Sequence, residues 1–276
     1  MTGVTDRPIT SLTNDTVKGV RALHMRKARD ATGQFLAEGL KFIGEALDQK
    51  RTPRLLLVGE DARPHPLLDR ARAETRAAGG EVVSVTHAIL EKISRRDNPQ
   101  TVLAVFDQLY TPLAAIVPES APCWVALEQV RDPGNLGTII RTADAAGCGG
   151  VIMIGDCVDP FSVEAVRATM GSVFAVAIVR TTVVEFTAWR QGWPGSVIGT
   201  RLDAAVGYRD AAVQRPALIL MGNEHAGLTD ALAAACDVNV KIPMRGRADS
   251  LNLAVATGIM VYSVTDLDWK LISSTR

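Results

Sequence analysis

No stretch of this chain approaches eighteen uninterrupted apolar residues, so nothing in it reads as a membrane span. The opening residues, Met1-Thr-Gly-Val-Thr-Asp6, have neither the basic nor the apolar region of a secretory leader, and the expected location is the cytoplasm. Cysteine is scarce. Cys123, Cys148, Cys157 and Cys236 form no Cys-x-x-Cys pair, and no histidine follows at zinc-ligand spacing. Metal and disulfide chemistry are therefore not expected, and the thiols should be reduced and mostly buried. Net charge is absent as well, with 30 Lys and Arg against 30 Asp and Glu. There is no P-loop lysine motif, paired-carboxylate signature or Ser-His-Asp signature. Gly147-Cys-Gly149-Gly150 precedes an apolar run instead of following one into a helix, so it fails as a dinucleotide loop.

What remains is the composition of a globular protein with a real core, 47% of it apolar. Charge is uneven along the chain. Residues 1–110 carry 17 Lys and Arg against 14 Asp and Glu, and residues 111–276 carry 13 against 16. That front excess does not announce a nucleic-acid binder, but it permits one.

Periodicity predicts a basic helix over 14–30, with Val17, Val20, Ala22 and Leu23 on its apolar side. A short strand entering a helix is expected over 33–39, further short strands over 55–58, 81–85 and 101–106, and a helix over 67–78. Together these make an α/β domain over residues 1–110. Pro112, Pro118 and Pro122 mark 111–122 as a linker. In residues 123–276 strands and helices alternate again. Strands are expected at 124–127, 151–154, 173–179, 196–199, 217–221 and 238–242, and helices at 135–146, 162–171, 229–235 and 251–266. Such alternation implies a mostly parallel sheet covered on both faces.

Three segments of the second domain carry chemical information. Asn135-Leu-Gly-Thr-Ile-Ile-Arg141 follows a Pro-Gly turn, with Asn135 placed to cap a helix and Arg141 two turns in. Arg141 is a permanently charged planar fork, suited to a phosphate, though an ordinary surface arginine has the same spacing. Gly222-Asn-Glu224-His-Ala-Gly227-Leu228 ends a buried strand in a loop around a carboxylate, where parallel sheets place ligands. Glu224 could pair with Arg141 or point to water. Ile242-Pro-Met244 leads through a loop holding Arg245 and Arg247 to Ser250, a good helix cap, and Asn252. Leu251, Ala254, Val255, Gly258, Ile259 and Tyr262 then share one helical face, expected to be packed.

In this order and spacing the three segments resemble the SpoU/TrmH family of RNA ribose methyltransferases. Arg26-Lys27, Gly33-Gln-Phe-Leu-Ala-Glu-Gly39 and Pro99-Gln-Thr-Val-Leu-Ala-Val-Phe106 resemble the small substrate-binding domain many members carry. The resemblance implies a parallel-sheet catalytic domain with a deep trefoil knot, an exception to the rule of unknotted chains. It implies homodimers with the active site near the subunit interface. It implies S-adenosylmethionine as cofactor, held by Gly222, Ile242 and Leu251 with Thr200 and Met244 beside them. The reaction implied is methylation of a ribose 2′-hydroxyl of ribosomal RNA (large subunit) or tRNA, with Arg141, Asn135, Glu224 and Asn252 as catalytic residues. A guanidinium is a poor base, so Arg141 is expected to hold the adjacent phosphate while Asn135, Glu224 and Asn252 fix it and the nucleotide. Candidate RNA contacts in the front domain are Arg21, Arg26, Lys27, Arg29, Arg95 and Arg96. Methylation of a base, and RNA binding or antibiotic resistance without catalysis, remain alternatives.

Overall fold

The computed structural model describes residues 6–265. Among these, residues 6–109 and Asp159–Phe174 form one compact unit; Tyr110–Val158 and residues 175–265 form the other. The domain change thus falls one residue before the expected position. Segment 159–174, which sequence alone assigns to the second domain, folds with the first.

The first unit runs β1 (Arg7–Ile9), α1 (Asp15–Ala22), α2 (Arg26–Thr32), β2 (Gln34–Glu38), α3 (Leu40–Asp48), β3 (Leu55–Gly59), α4 (Pro66–Ala77), β4 (Glu81–Val85), α5 (His87–Ser94) and β5 (Val102–Asp107). Its sheet order is β1-β4-β3-β5-β2, with β5 antiparallel to both neighbours and the other pairs parallel. Leu36, Leu57, Val83 and Leu103, one from each inner strand and from β2, are buried in one core. Strand β1 and helix α5 are not among the expected elements; β1 is too short for a period, while the buried Ile89, Leu90 and Ile93 of α5 do fall at helical spacing.

The expected helix over 14–30 is two helices, broken at Leu23–Met25. The break has a cause: Arg29 turns inward and its Nη1 donates to the Leu23 carbonyl at 2.7 Å, capping the end of α1. The same guanidinium is 3% exposed and pairs with Asp159 at 2.7 Å. Arg29 is therefore a core residue, and its expected contact with RNA is corrected. Asp159 begins the segment that joins this unit from the second half of the chain. Helix α7 (Val163–Thr169) follows it. Its Arg167 pairs with the buried Glu38 at 2.6 Å, and Phe161 lies 4.9 Å from Phe35 between ring centroids. Burying one such ring contributes about 1.5–3 kcal/mol. Arg29→Met should cost about 3–5 kcal/mol of stability, because Asp159 would stay buried without its counter-charge. Urea denaturation checks this, and a change under about 1 kcal/mol contradicts it.

The second unit carries β6 (Cys123–Glu128), α6 (Pro133–Ala145), β7 (Gly150–Ile154), β8 (Ala177–Thr181), α8 (Val183–Trp189), β9 (Val197–Thr200), β10 (Val206–Gly207), β11 (Ala217–Met221), α9 (Asp230–Ala234), β12 (Val238–Lys241) and α10 (Leu253–Thr265). The strands order as β10-β12-β9-β11-β6-β7-β8, and every pairing is parallel. The apolar runs of β6, β7 and β11 are buried throughout, as a sheet covered on both faces requires. The expected linker is not loose: Ile116 is in this unit's core, and the Trp124 indole donates to the Pro118 carbonyl at 3.2 Å. The strand expected over 173–179 begins only at Ala177, after a single helical turn at Ser172–Phe174.

Helix α10 departs from expectation. Its buried residues are Leu253, Ala254, Thr257, Met260, Val261 and Val264. Val255 and Tyr262, expected on the packed face, are 53% and 47% exposed. The helix is apolar nearly all round, so spacing alone could not choose its inner side. Asp266, the expected last residue, lies outside the described residues.

Candidate active site

The carboxyl ends of β6, β9, β11 and β12 open onto a cleft of about 740 Å³, within the range of small-molecule sites. Thr200, Gly222, Ile242, Met244 and Leu251, the five residues expected to hold a cofactor, all line it, as do Asn135, Glu224 and Asn252. Leu202 and Leu251 present exposed apolar surface there, at 66% and 38%. The lining includes three carboxylates, Asp132, Glu224 and Asp249, against two cations, Arg201 and Lys241.

The loop after β11 is shaped by its glycines. A Cβ at Gly222 would collide with the backbone of Gly227 and Leu228. Asn223 and Gly227 exchange backbone hydrogen bonds at 3.0 and 2.9 Å, and Gly227 sits at φ +69°. The turn therefore folds back on Gly222 with no room for a side chain. The Asn223 amide donates to the Gln129 carbonyl at 2.7 Å, joining this loop to the one after β6.

Glu224 points into that second loop. Its carboxylate accepts from the backbone N–H of Arg131 and Asp132 at 3.3 and 3.4 Å, and from the Asn135 side chain at 3.3 Å. The Asn135 oxygen accepts from the Asn252 amide at 2.9 Å. Three of the four expected catalytic residues thus form one chain, Glu224–Asn135–Asn252, drawn from the loop after β11, the first turn of α6 and the approach to α10. Arg141 is outside it. It is exposed on α6, and no hydrogen bond or ion pair to it occurs among the described residues. The expected Glu224–Arg141 pair is replaced by the Asn135 contact.

Two helix caps also differ from expectation. Asp132, not Asn135, caps α6 by accepting from the Asn135 N–H. Asn252, not Ser250, caps the start of α10, accepting from Ala254 N–H at 2.9 Å and Val255 N–H at 3.3 Å. Each cap lies within three residues of the expected one, in a cluster of residues able to cap. The shifts free Asn135 for the site and leave Asn252 one oxygen for the helix and one amide for Asn135.

Arg201 was not singled out by its sequence context. It holds Asp203 through two nitrogens at 2.8 and 2.9 Å and Asp230 at 2.6 Å. These contacts, Asp203 first, make the guanidinium harder to deprotonate and hold the Asp203 carboxyl below its ordinary value.

In the first unit, Arg26, Lys27, Arg95 and Arg96 are exposed and Arg21 is half-buried. Arg26 spends part of its charge on Asp30 at 3.6 Å. The His24 ring contacts the Ile93 carbonyl at 2.7 Å, joining the turn that carries Arg26 and Lys27 to the end of α5 that carries Arg95. Burial holds the His24 imidazole below its ordinary value, so at neutral pH it serves as a neutral tether.

A family model described as SpoU rRNA Methylase family matches residues 122–262, and one described as MRM3-like substrate binding domain matches residues 14–104. The 23S rRNA (guanosine(2553)-2'-O)-methyltransferase RlmP of Bacillus subtilis is 31% identical over 256 residues, spanning 93% of this chain and 98% of that one. The 23S rRNA (uridine(2479)-2'-O)-methyltransferase of Streptomyces viridochromogenes is 32% identical over 244 residues, 86% of this chain and 84% of that one. Among solved structures, the AdoMet-bound rRNA methyltransferase from Sinorhizobium meliloti aligns with TM-score 0.88 and 47% identity, over 94% of this chain and 97% of that one.

Proposed function

The chain belongs to the SpoU rRNA methylase family, and from that premise we propose that it transfers a methyl group from S-adenosylmethionine to a ribose 2′-hydroxyl of large-subunit ribosomal RNA. One observation carries the reading: the cofactor-lining residues and the Glu224–Asn135–Asn252 chain meet in a single cleft.

The cleft fits the cofactor on its own chemistry. Gly222 lines the cleft at the tight turn after β11, and Leu202 and Leu251 offer apolar cover. The excess of carboxylates suits a ligand bearing a sulfonium and an ammonium. When bound, S-adenosylmethionine supplies an electrophilic methyl. The chain's own residues then do the positioning. Glu224, itself fixed by two backbone N–H groups, orients Asn135, and Asn135 with Asn252 presents amide groups to the nucleotide. Arg141 lies six residues along α6, roughly 9 Å at 1.5 Å per residue. In this reading Arg141 holds the phosphate next to the methylated ribose, and the hydroxyl proton leaves to that phosphate or to water. Isothermal titration with S-adenosylmethionine tests the enzyme reading against pure RNA binding, because a pure binder gives no heat of binding.

The first unit selects the RNA in this reading, with Arg21, Arg26, Lys27, Arg95 and Arg96 as phosphate contacts. Supporting it are the match to a substrate-binding domain and the exposure of four of these five cations. Neutralising Lys27 and Arg95 together should weaken RNA binding about equally for all sequences and flatten its log-log salt dependence by about one per contact. An unchanged salt slope contradicts the assignment.

The reading extends to a homodimer, a trefoil knot in the second unit and a cytoplasmic location. No helix among the described residues is long and apolar enough to cross a membrane. Val255 and Tyr262, spaced i and i+7 on α10, leave an apolar stripe that a second copy would cover. Sedimentation velocity tests the dimer. A monomer at micromolar concentration would remove it.

A further inference from the structure

Strand β6 ends in a carboxylate that its packing does not call for. Trp124, Val125, Ala126 and Leu127 are buried, and Glu128 after them is only 2% exposed. A buried carboxylate is costly unless its oxygens are hydrogen-bonded, and an apolar side chain would fill the same strand position without that cost. Both oxygens of Glu128 are engaged by one residue. The Thr229 backbone N–H donates to Oε2 at 2.8 Å, and the Thr229 hydroxyl donates to Oε1 at 2.8 Å.

The position of Thr229 gives the contact its consequence. It directly follows the loop Gly222–Leu228, and the residue directly before that loop, Met221, pairs with Leu127 in the sheet. The loop therefore leaves β6 opposite Leu127 and is brought back to it at Glu128. Its two ends are fixed to adjacent residues of one strand. Between them sit Gly222, which lines the cleft, and Glu224, which orients Asn135. The next residue, Asp230, holds Arg201 at 2.6 Å, so the wall carrying Thr200 and Leu202 is tied to the same point.

We propose that Glu128 is a positioning residue for methyl transfer, acting through Thr229 to hold the Gly222–Leu228 loop closed against β6. It touches neither the cofactor nor the RNA. Its effect is on the geometry of Gly222 and Glu224, which a site needs held to about half an ångström. The proposal rests on the methyltransferase reading above.

The test uses the full chain and four variants: Thr229→Val, Thr229→Ser, Glu128→Gln and Glu128→Ala. Thr229→Val removes the side-chain donor to Glu128 together with the oxygen that caps α9, and keeps the shape, whereas Glu128→Gln leaves that cap in place. Thr229→Ser keeps the donor. Each is measured for S-adenosylmethionine affinity by titration, for kcat and KM, for RNA affinity and for melting temperature. Thr229→Val and Glu128→Gln should raise the cofactor dissociation constant about 10- to 30-fold, the lower part of the range for one hydrogen bond to a charged group. Their RNA affinity should stay within about twofold, and Thr229→Ser should restore cofactor affinity to within about twofold. Glu128→Ala should be the worst of the four; if it does not fold, the threonine pair decides alone. Variants that melt earlier but bind cofactor and turn over like the wild type would make the contact merely structural and overturn the proposal. So would Thr229→Ser behaving like Thr229→Val. A wild-type protein that binds no S-adenosylmethionine would instead remove the methyltransferase reading, and the proposal with it.

Discussion

Gly222→Ala is expected to weaken S-adenosylmethionine binding by at least about 100-fold, equivalent to about 2.7 kcal/mol. The added methyl would overlap the Gly227 carbonyl and the Leu228 nitrogen, and backbone atoms cannot swing aside as a side-chain end can. Relief requires opening the turn. That breaks the paired backbone bonds between Asn223 and Gly227 and moves both Gly222 and Glu224. Gly227→Ala is the control. It meets no neighbour within 4 Å and pays only for its φ of +69°, about 1 kcal/mol. Calorimetric titration of both variants, with circular dichroism to confirm folding, separates them. Gly222→Ala binding cofactor as tightly as Gly227→Ala would mean that the turn is not the cofactor's wall.

Arg141→Ala is expected to lower kcat about 100- to 1,000-fold, the range for losing one preorganised charge contact in a transition state. Its other properties should hardly move. Arg141 is exposed and makes no hydrogen bond among the described residues, so stability should change by no more than about 0.5 kcal/mol. Cofactor affinity should be unchanged, since Arg141 is not among the cleft residues. Arg141→Lys should fall between, because a point charge replaces a planar fork. Single-turnover methylation at saturating RNA checks the prediction, and wild-type methyl transfer with normal RNA binding would refute the role.

Much of the site is legible in the sequence. Polar residues punctuating apolar strand ends located Asn135, Glu224 and Asn252, and the structure links these three by direct hydrogen bonds. The five cofactor residues, which the family resemblance implied, share one cleft at or beyond the carboxyl ends of β9, β11 and β12. What sequence could not show were relations between distant residues. Arg29 has the sequence neighbours of a surface cation, and only Asp159, 130 positions away, makes it a core residue. The same pair draws segment 159–174 into the first unit against the order of the chain. Glu128 and Arg201 likewise look ordinary until Thr229 and Asp230 are brought beside them. On α10 the limit was different in kind. A helix apolar on nearly every side has no period to read, and its inner face is chosen by what it packs on.

The central claim is that a ribose, not a base, receives the methyl group. The most direct measurement incubates the protein with methyl-labelled S-adenosylmethionine and a large-subunit rRNA transcript, then digests the RNA to nucleosides and separates them. The account predicts label in a 2′-O-methylnucleoside, lost in Arg141→Ala. Label on a base-methylated nucleoside, or no label from a protein that binds both partners, would contradict it.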